Sequence, residues 1–102
     1  MEGGIMKILD RLKMELSNQE YFSDEQYTQF LFENGLSATA EYNKETDQRQ
    51  MLLSALDILE AVSNDIDIMR QTITEFTTTS QAYKYLEKRI QNLRDKIASI
   101  PE

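Results

Sequence analysis

The chain has 102 residues, of which 40% are hydrophobic and 28% charged, so it can form one domain with a small core. It contains no cysteine and no histidine, which excludes a disulfide framework, a thiolate metal site, a cysteine nucleophile and the commonest general base. The net charge of −7 argues against a dedicated nucleic-acid-binding protein, because such proteins usually carry a basic face.

The sequence shows no sign of membrane insertion. No apolar run approaches the roughly 20 residues that a membrane-spanning helix needs, and the N-terminus lacks the features of a signal peptide. We therefore expect an intracellular protein with no membrane partner. Residues 1–5 precede a second methionine, Met6, and are expected to be disordered or an upstream start.

The first two predicted elements are short helices. The first ends at Ser17-Asn18. It is defined by an apolar stripe with spacings of three and four residues: Ile5, Ile8, Leu9, Leu12 and Leu16. The second helix begins with a capping box formed by Ser23 and Gln26. Asn34-Gly35 ends it, because glycine adopts the left-handed conformation there at little cost, and Leu36 is placed to close the accompanying contact. Three residues share its predicted buried face: Tyr27, Phe30 and Leu31.

A predicted loop over residues 37–46 leads into a long central helix that starts between Asn43 and Asp47. Its apolar positions keep a seven-residue rhythm: Leu52, Ala55, Leu59, Val62, Ile66, Met69, Ile73 and Phe76. Residues 63–65 lower the helix propensity without breaking the phase of the stripe. We therefore expect either one long helix or two helices with a kink near Asn64.

A threonine-rich junction precedes the C-terminal helix. Residues 77–80 disfavour a helix interior, and residues 72–77 fit either helix or a short strand. The last helix is predicted from Ser80 to Pro101, with its apolar residues in the same rhythm: Tyr83, Leu86, Ile90, Leu93, Ile97 and Ile100. Together these elements predict an all-α fold, a small bundle of four helices in a single domain over residues 1–102.

Two pairs of carboxylates are the nearest feature to a site for chemistry. Asp57 with Glu60, and Asp65 with Asp67, lie close together in sequence, and paired carboxylates carry out acid–base chemistry or bind magnesium in other proteins. Neither pair has a histidine or a glycine-centred calcium loop beside it, so solvated helix faces are the simpler interpretation. Phosphate-binding glycine motifs are missing as well. We expect no catalytic residue, no metal ligand and no cofactor.

Aromatic residues are concentrated around the second helix: Tyr21, Phe22, Tyr27, Phe30 and Phe32. Core packing explains the group most simply, but a domain of this size cannot easily bury them all, and aromatic side chains are common anchors of protein interfaces. Phe32 points away from the predicted buried face and is the strongest contact candidate. Tyr27 and Phe30 are the other interface candidates in this segment.

Charge is divided unevenly along the chain. Residues 1–76 hold 15 acids and 6 bases, whereas residues 77–102 hold 3 acids and 5 bases. Tyr85, Lys88 and Arg89 lie off the apolar stripe of the last helix and are candidates for contact with the acidic part of a neighbouring copy. Solvated faces are again the simpler interpretation.

The order of these elements resembles the small bacteriophage head–tail connector proteins (adaptor or head-completion subunits). The resemblance rests on the short opening helix, on residues 21–27 (YFSDEQY), on the Asn34-Gly35-Leu36 stop, and on residues 75–83 (EFTTTSQAY) before the last helix. Members of that family are helical, non-enzymatic ring subunits. The resemblance implies a structural protein of the virion that self-associates into a ring and binds portal or tail proteins. DNA would pass through the ring without sequence-specific binding.

Two other functions stay open on the sequence alone. A monomeric acidic module that regulates or inhibits a basic partner would expose clustered carboxylates and bind in a salt-sensitive way. An enzyme would need a carboxylate with a strongly raised pKa in a concave pocket.

Overall fold

Five helices make up the fold in a computed structural model, which describes residues 6–73, 76 and 78–101. The helices are α1 (Ile8–Glu15), α2 (Asp24–Glu33), α3 (Lys44–Ser63), α4 (Ile66–Thr72) and α5 (Thr79–Ser99). Within the described ranges there is no strand, only an isolated antiparallel bridge between Lys7 and Glu41. The all-α prediction is therefore confirmed. Predictions about residues 1–5, Thr74, Glu75 and Thr77 lie outside the described residues.

The prediction of four helices is wrong, because the long central helix is two helices. α3 ends with Asn64 as its C-cap, and Asp65 then adopts an extended conformation. The Asp65 carboxylate accepts hydrogen bonds from the backbone N–H groups of Asp67 and Ile68 at 3.0 and 3.2 Å, which begins α4 as a separate helix. The predicted kink near Asn64 is a complete break of the helix.

α2 has the two ends that the sequence predicts. Ser23 Oγ accepts from the backbone N–H of Gln26 at 3.2 Å, and Gln26 Oε1 accepts from that of Ser23 at 2.9 Å. At the other end Gly35 has a φ of +81°, and the N–H of Leu36 donates to the carbonyl of Leu31 at 2.9 Å. These two caps fix which residues of α2 face the core.

One hydrophobic core joins the five helices, and α3 lies at its centre, since α1, α2, α4 and α5 each pack on it. α3 contributes six buried apolar side chains: Met51, Leu52, Ala55, Ile58, Leu59 and Val62. α5 packs on α3 through its own buried stripe: Ala82, Leu86, Ile90 and Leu93. Most of the predicted apolar rhythm therefore faces the core. Ile66, which is 41% exposed, is an exception.

The junction between α4 and α5 is short. Thr72 is still helical, and Ile73 is buried after the helix ends. Thr78 then caps α5, with its Oγ1 accepting from the N–H of Gln81 at 3.1 Å, so α5 begins at Thr79, one residue before the prediction. None of the helices in the described part of the chain has the length and apolar character to cross a bilayer.

Candidate protein-binding surfaces

Tyr27, an interface candidate, is a core residue. Its side chain is 2% exposed. The hydroxyl donates to the carbonyl of Gln19 at 3.0 Å and accepts from the N–H of Tyr21 at 3.0 Å, and the N–H of Phe22 lies at 3.4 Å. Loss of solvent around the ring raises the pKa of Tyr27. Tyr27 thus holds the α1–α2 connection on α2 and has no surface to offer a partner.

Phe30 lies at the edge of the core. Its ring is half-buried and its centroid is 5.5 Å from that of Phe22, which in turn meets Tyr27 edge to face at 6.3 Å. Phe22, Tyr27 and Phe30 therefore form one aromatic cluster beneath the start of α2. Intramolecular packing accounts for most of the Phe30 surface.

Phe32 is the most exposed of the large hydrophobic residues that the structure describes. It is 72% exposed, against 48% for Met14 and 41% for Ile66. Phe32 follows buried Tyr27 by five residues. At about 100° per residue, this separation places Phe32 roughly 140° around the helix from Tyr27. Because both ends of α2 are capped, the helix cannot turn to bury this ring without breaking those caps.

A shallow apolar cavity of about 460 Å³ adjoins this ring, lined by Thr28, Phe32, Gly35, Leu36, Ser37 and Ala38. Glu33 follows Phe32 and is exposed, and its carboxylate accepts from the Gln29 amide at 3.2 Å. We call this surface the Phe32 face: Thr28, Phe32, Glu33, Leu36 and Ala38. Residues 14–43 contain six acids and no base, and one of these acids, Glu33, belongs to the Phe32 face.

The other three candidates lie on α5 and differ in their surroundings. Tyr85 is half-buried, with its ring centroid 5.3 Å from that of Phe76, and Lys88 is exposed. Arg89 is half-buried, and its Nη2 donates to the backbone carbonyl of Glu15 at 2.6 Å. Arg89 therefore ties α5 to the end of α1 within one chain.

Some of the basic residues of α5 pair with acidic residues of the same chain. Arg94 of α5 pairs with Glu60 of α3, with Nη2 and Oε2 2.6 Å apart. Together with the Arg89 hydrogen bond, this contact brings the basic helix onto the acidic body without a second copy. Lys88 is the exposed cation among the three α5 candidates.

A second concave surface, not predicted from the sequence, lies between α4 and the start of α5. We call it the α4–α5 cleft; its volume is about 310 Å³ and its walls are Met69, Arg70, Ile73, Phe76, Thr78, Thr79 and Ala82. The cleft forms only when the break at Asp65 turns α4 back onto the core. Arg70 is the sole Lys or Arg between residues 50 and 83, but an isolated base does not by itself predict a cleft.

The paired carboxylates have mostly structural partners. Asp57 accepts from the Asn34 side-chain amide at 3.0 Å, Glu60 pairs with Arg94, and Asp65 caps α4. In the part of the chain that the structure describes, no three acidic side chains come together as metal ligands do. These contacts give three of the four acids a role in the fold.

Comparison of the chain with protein-family models, with curated proteins and with solved structures finds no match. The Phe32 face and the α4–α5 cleft are therefore the features from which a function can be inferred.

Proposed function

We propose that this chain is a non-catalytic structural subunit that binds other protein chains, copies of itself included, through the Phe32 face. The observation that carries the proposal is the 72% exposure of Phe32 on a helix with both ends capped. Complete burial of a phenylalanine side chain is worth about 1.5–3 kcal/mol, and the fold leaves most of that free energy ungained. A partner that covers the ring gains it on binding.

The neighbours of Phe32 distinguish it from an isolated exposed hydrophobic residue, which is common on protein surfaces. The ring borders the apolar cavity with Leu36 and Ala38, so a partner side chain can enter beside it. Exposed Thr28 and Glu33 place polar side chains beside this centre. An aromatic anchor within a polar rim is the usual arrangement of a protein interface.

The more specific proposal is a ring subunit like those of phage head–tail connectors, with portal or tail proteins as further partners. Its support is the resemblance of residues 21–27, 34–36 and 75–83 to that family, and the net charge of −7, which suits a lumen that must not hold DNA phosphates. A ring also needs two different contact surfaces on each subunit. The Phe32 face supplies one of them.

Sedimentation velocity over a concentration series tests the proposal. We expect the mass of the wild-type chain to rise with concentration, and Phe32→Ala to weaken assembly at least tenfold, about 1.4 kcal/mol. Met14→Ala is the matched control, because Met14 is the next most exposed large hydrophobic residue and lies on α1. Equal assembly of both variants contradicts the Phe32 face. A wild-type chain that stays monomeric contradicts self-association and favours the acidic binding module.

A further inference from the structure

The α4–α5 cleft offers an apolar floor and a cation together. Ile73 and Ala82 are both buried at its base, Phe76 is half-buried, and Arg70 is exposed. A cavity of about 150 Å³ is enough to hold a benzene molecule, so the cleft, at about 310 Å³, has room for a phenyl ring.

We propose that this cleft receives Phe32 of a second copy of the chain, with Glu33 of that copy facing Arg70. The inference rests on the proposed function, in which the Phe32 face binds other copies, and it names the surface to which that face binds. The cleft is large enough for the exposed ring, and Ile73, Phe76 and Ala82 supply apolar side chains among its polar walls. The two surfaces also match in charge, since the acid beside the ring faces the cation of the cleft.

Both charges are available for such a contact. Arg70 makes no ion pair with any residue that the structure describes, whereas Arg11, Lys13 and Arg94 each pair with a carboxylate. Glu33 is exposed and its carboxylate accepts a hydrogen bond from a neutral amide, that of Gln29. Neither residue has to give up an ion pair with a described residue of its own chain to face the other.

The position of the two surfaces limits the kinds of assembly that the contact can form. The Phe32 face belongs to α2 and the loop after it, and the cleft belongs to α4 and α5, so the contact joins two different surfaces. When the contact forms only once between two copies, it leaves a free Phe32 face on one and a free cleft on the other, and it repeats head to tail into a closed ring or an open filament. When it forms twice between the same two copies, each ring entering the partner's cleft, it gives a symmetric dimer.

Charge reversal tests the pairing, because Glu33 and Arg70 are both exposed and can be changed without disturbing the core. We expect Glu33→Arg and Arg70→Glu each to weaken self-association at least tenfold, since each places like charges together. An equimolar mixture of the two variants should assemble again, because every junction between unlike copies then joins opposite charges. The double variant should assemble by itself. Lys44→Glu, an exposed base at the start of α3 outside the cleft, is the matched control.

The possible outcomes distinguish a failure of the Phe32–cleft contact from a failure of the proposed function, binding through the Phe32 face. Recovery in the mixture and in the double variant, with Lys44→Glu unchanged, supports the pairing. If Phe32→Ala blocks assembly but Arg70→Glu assembles like the wild type, the cleft is wrong and the Phe32 face binds elsewhere, on this chain or on another protein. If the two single variants are impaired and their mixture stays impaired, Glu33 and Arg70 do not face each other. Circular dichroism of each variant establishes that it is folded.

Discussion

Replacement of Tyr27 by phenylalanine removes the three hydrogen bonds of one buried hydroxyl and little else. The ring keeps its place, so no cavity opens, but the carbonyl of Gln19 and the N–H of Tyr21 each lose a bond of 3.0 Å. The contact with the N–H of Phe22, at 3.4 Å, is long and contributes less. These three groups hold residues 19–22 against the start of α2.

The expected loss of stability follows from those distances. A typical intramolecular hydrogen bond contributes about 1 kcal/mol net, and a buried group left without a partner costs about 1–3 kcal/mol. Two good bonds, one of them to a buried N–H, give a loss of about 2–3 kcal/mol. For a domain of this size that free energy lowers Tm by roughly 10–20 °C.

Thermal and urea unfolding followed by circular dichroism measures this loss. Tyr83→Phe is the control, because the Tyr83 ring is half-buried and its hydroxyl makes no hydrogen bond to any residue that the structure describes. We expect the control to change the free energy of unfolding by less than about 0.5 kcal/mol. A Tyr27→Phe chain as stable as the control would refute the structural role that we assign to this hydroxyl.

Three further predictions concern the same elements. Burial raises the pKa of Tyr27 above its usual 10.0, so the folded chain keeps a proton that the unfolded chain loses. The free energy of unfolding should therefore fall as the pH rises above about 10, and Tyr27→Phe should make that fall less steep. Gly35→Ala should cost about 1–2 kcal/mol in urea unfolding, because a φ of +81° strains any side chain even though the space around Gly35 is open; an unchanged midpoint would contradict this. Arg94→Ala should lower the free energy of unfolding by less than about 1 kcal/mol, and by less at high salt, because the ion pair of Arg94 with Glu60 is solvent-exposed. A larger, salt-independent loss of stability would show that the contact is not a surface ion pair.

The helix ends that depend on neighbouring residues were the features most accurately predicted from the sequence. The capping box at Ser23 and the stop at Gly35 depend on a few neighbouring residues, and both form as predicted. The break after Asn64 was harder to predict, because the apolar stripe continues in phase through Met69 while the backbone does not continue as one helix. The Asp65 side chain stabilises the start of the second helix through the hydrogen bonds that cap α4.

Contacts between distant segments could not be predicted. Arg89 was a candidate for an interchain contact because its position on α5 is off the apolar stripe, yet its partner is a backbone carbonyl at the end of α1. Tyr27 lies on the predicted buried face, but its three backbone partners belong to residues 19–22, whose path depends on the tertiary fold. The α4–α5 cleft likewise requires the break at Asp65, which the periodicity does not reveal.

The central claim is that another chain covers the Phe32 face, and a dilution series of the isotope-labelled chain followed by NMR tests it most directly. The series should run from the concentration at which the mass in solution exceeds that of one chain down to the monomer. We expect the amide signals of Phe32, Glu33 and Leu36 to shift along the series, while those around exposed Met14 on α1 stay constant. Shifts confined to α1, or assembly with no shift on the Phe32 face, would contradict the account.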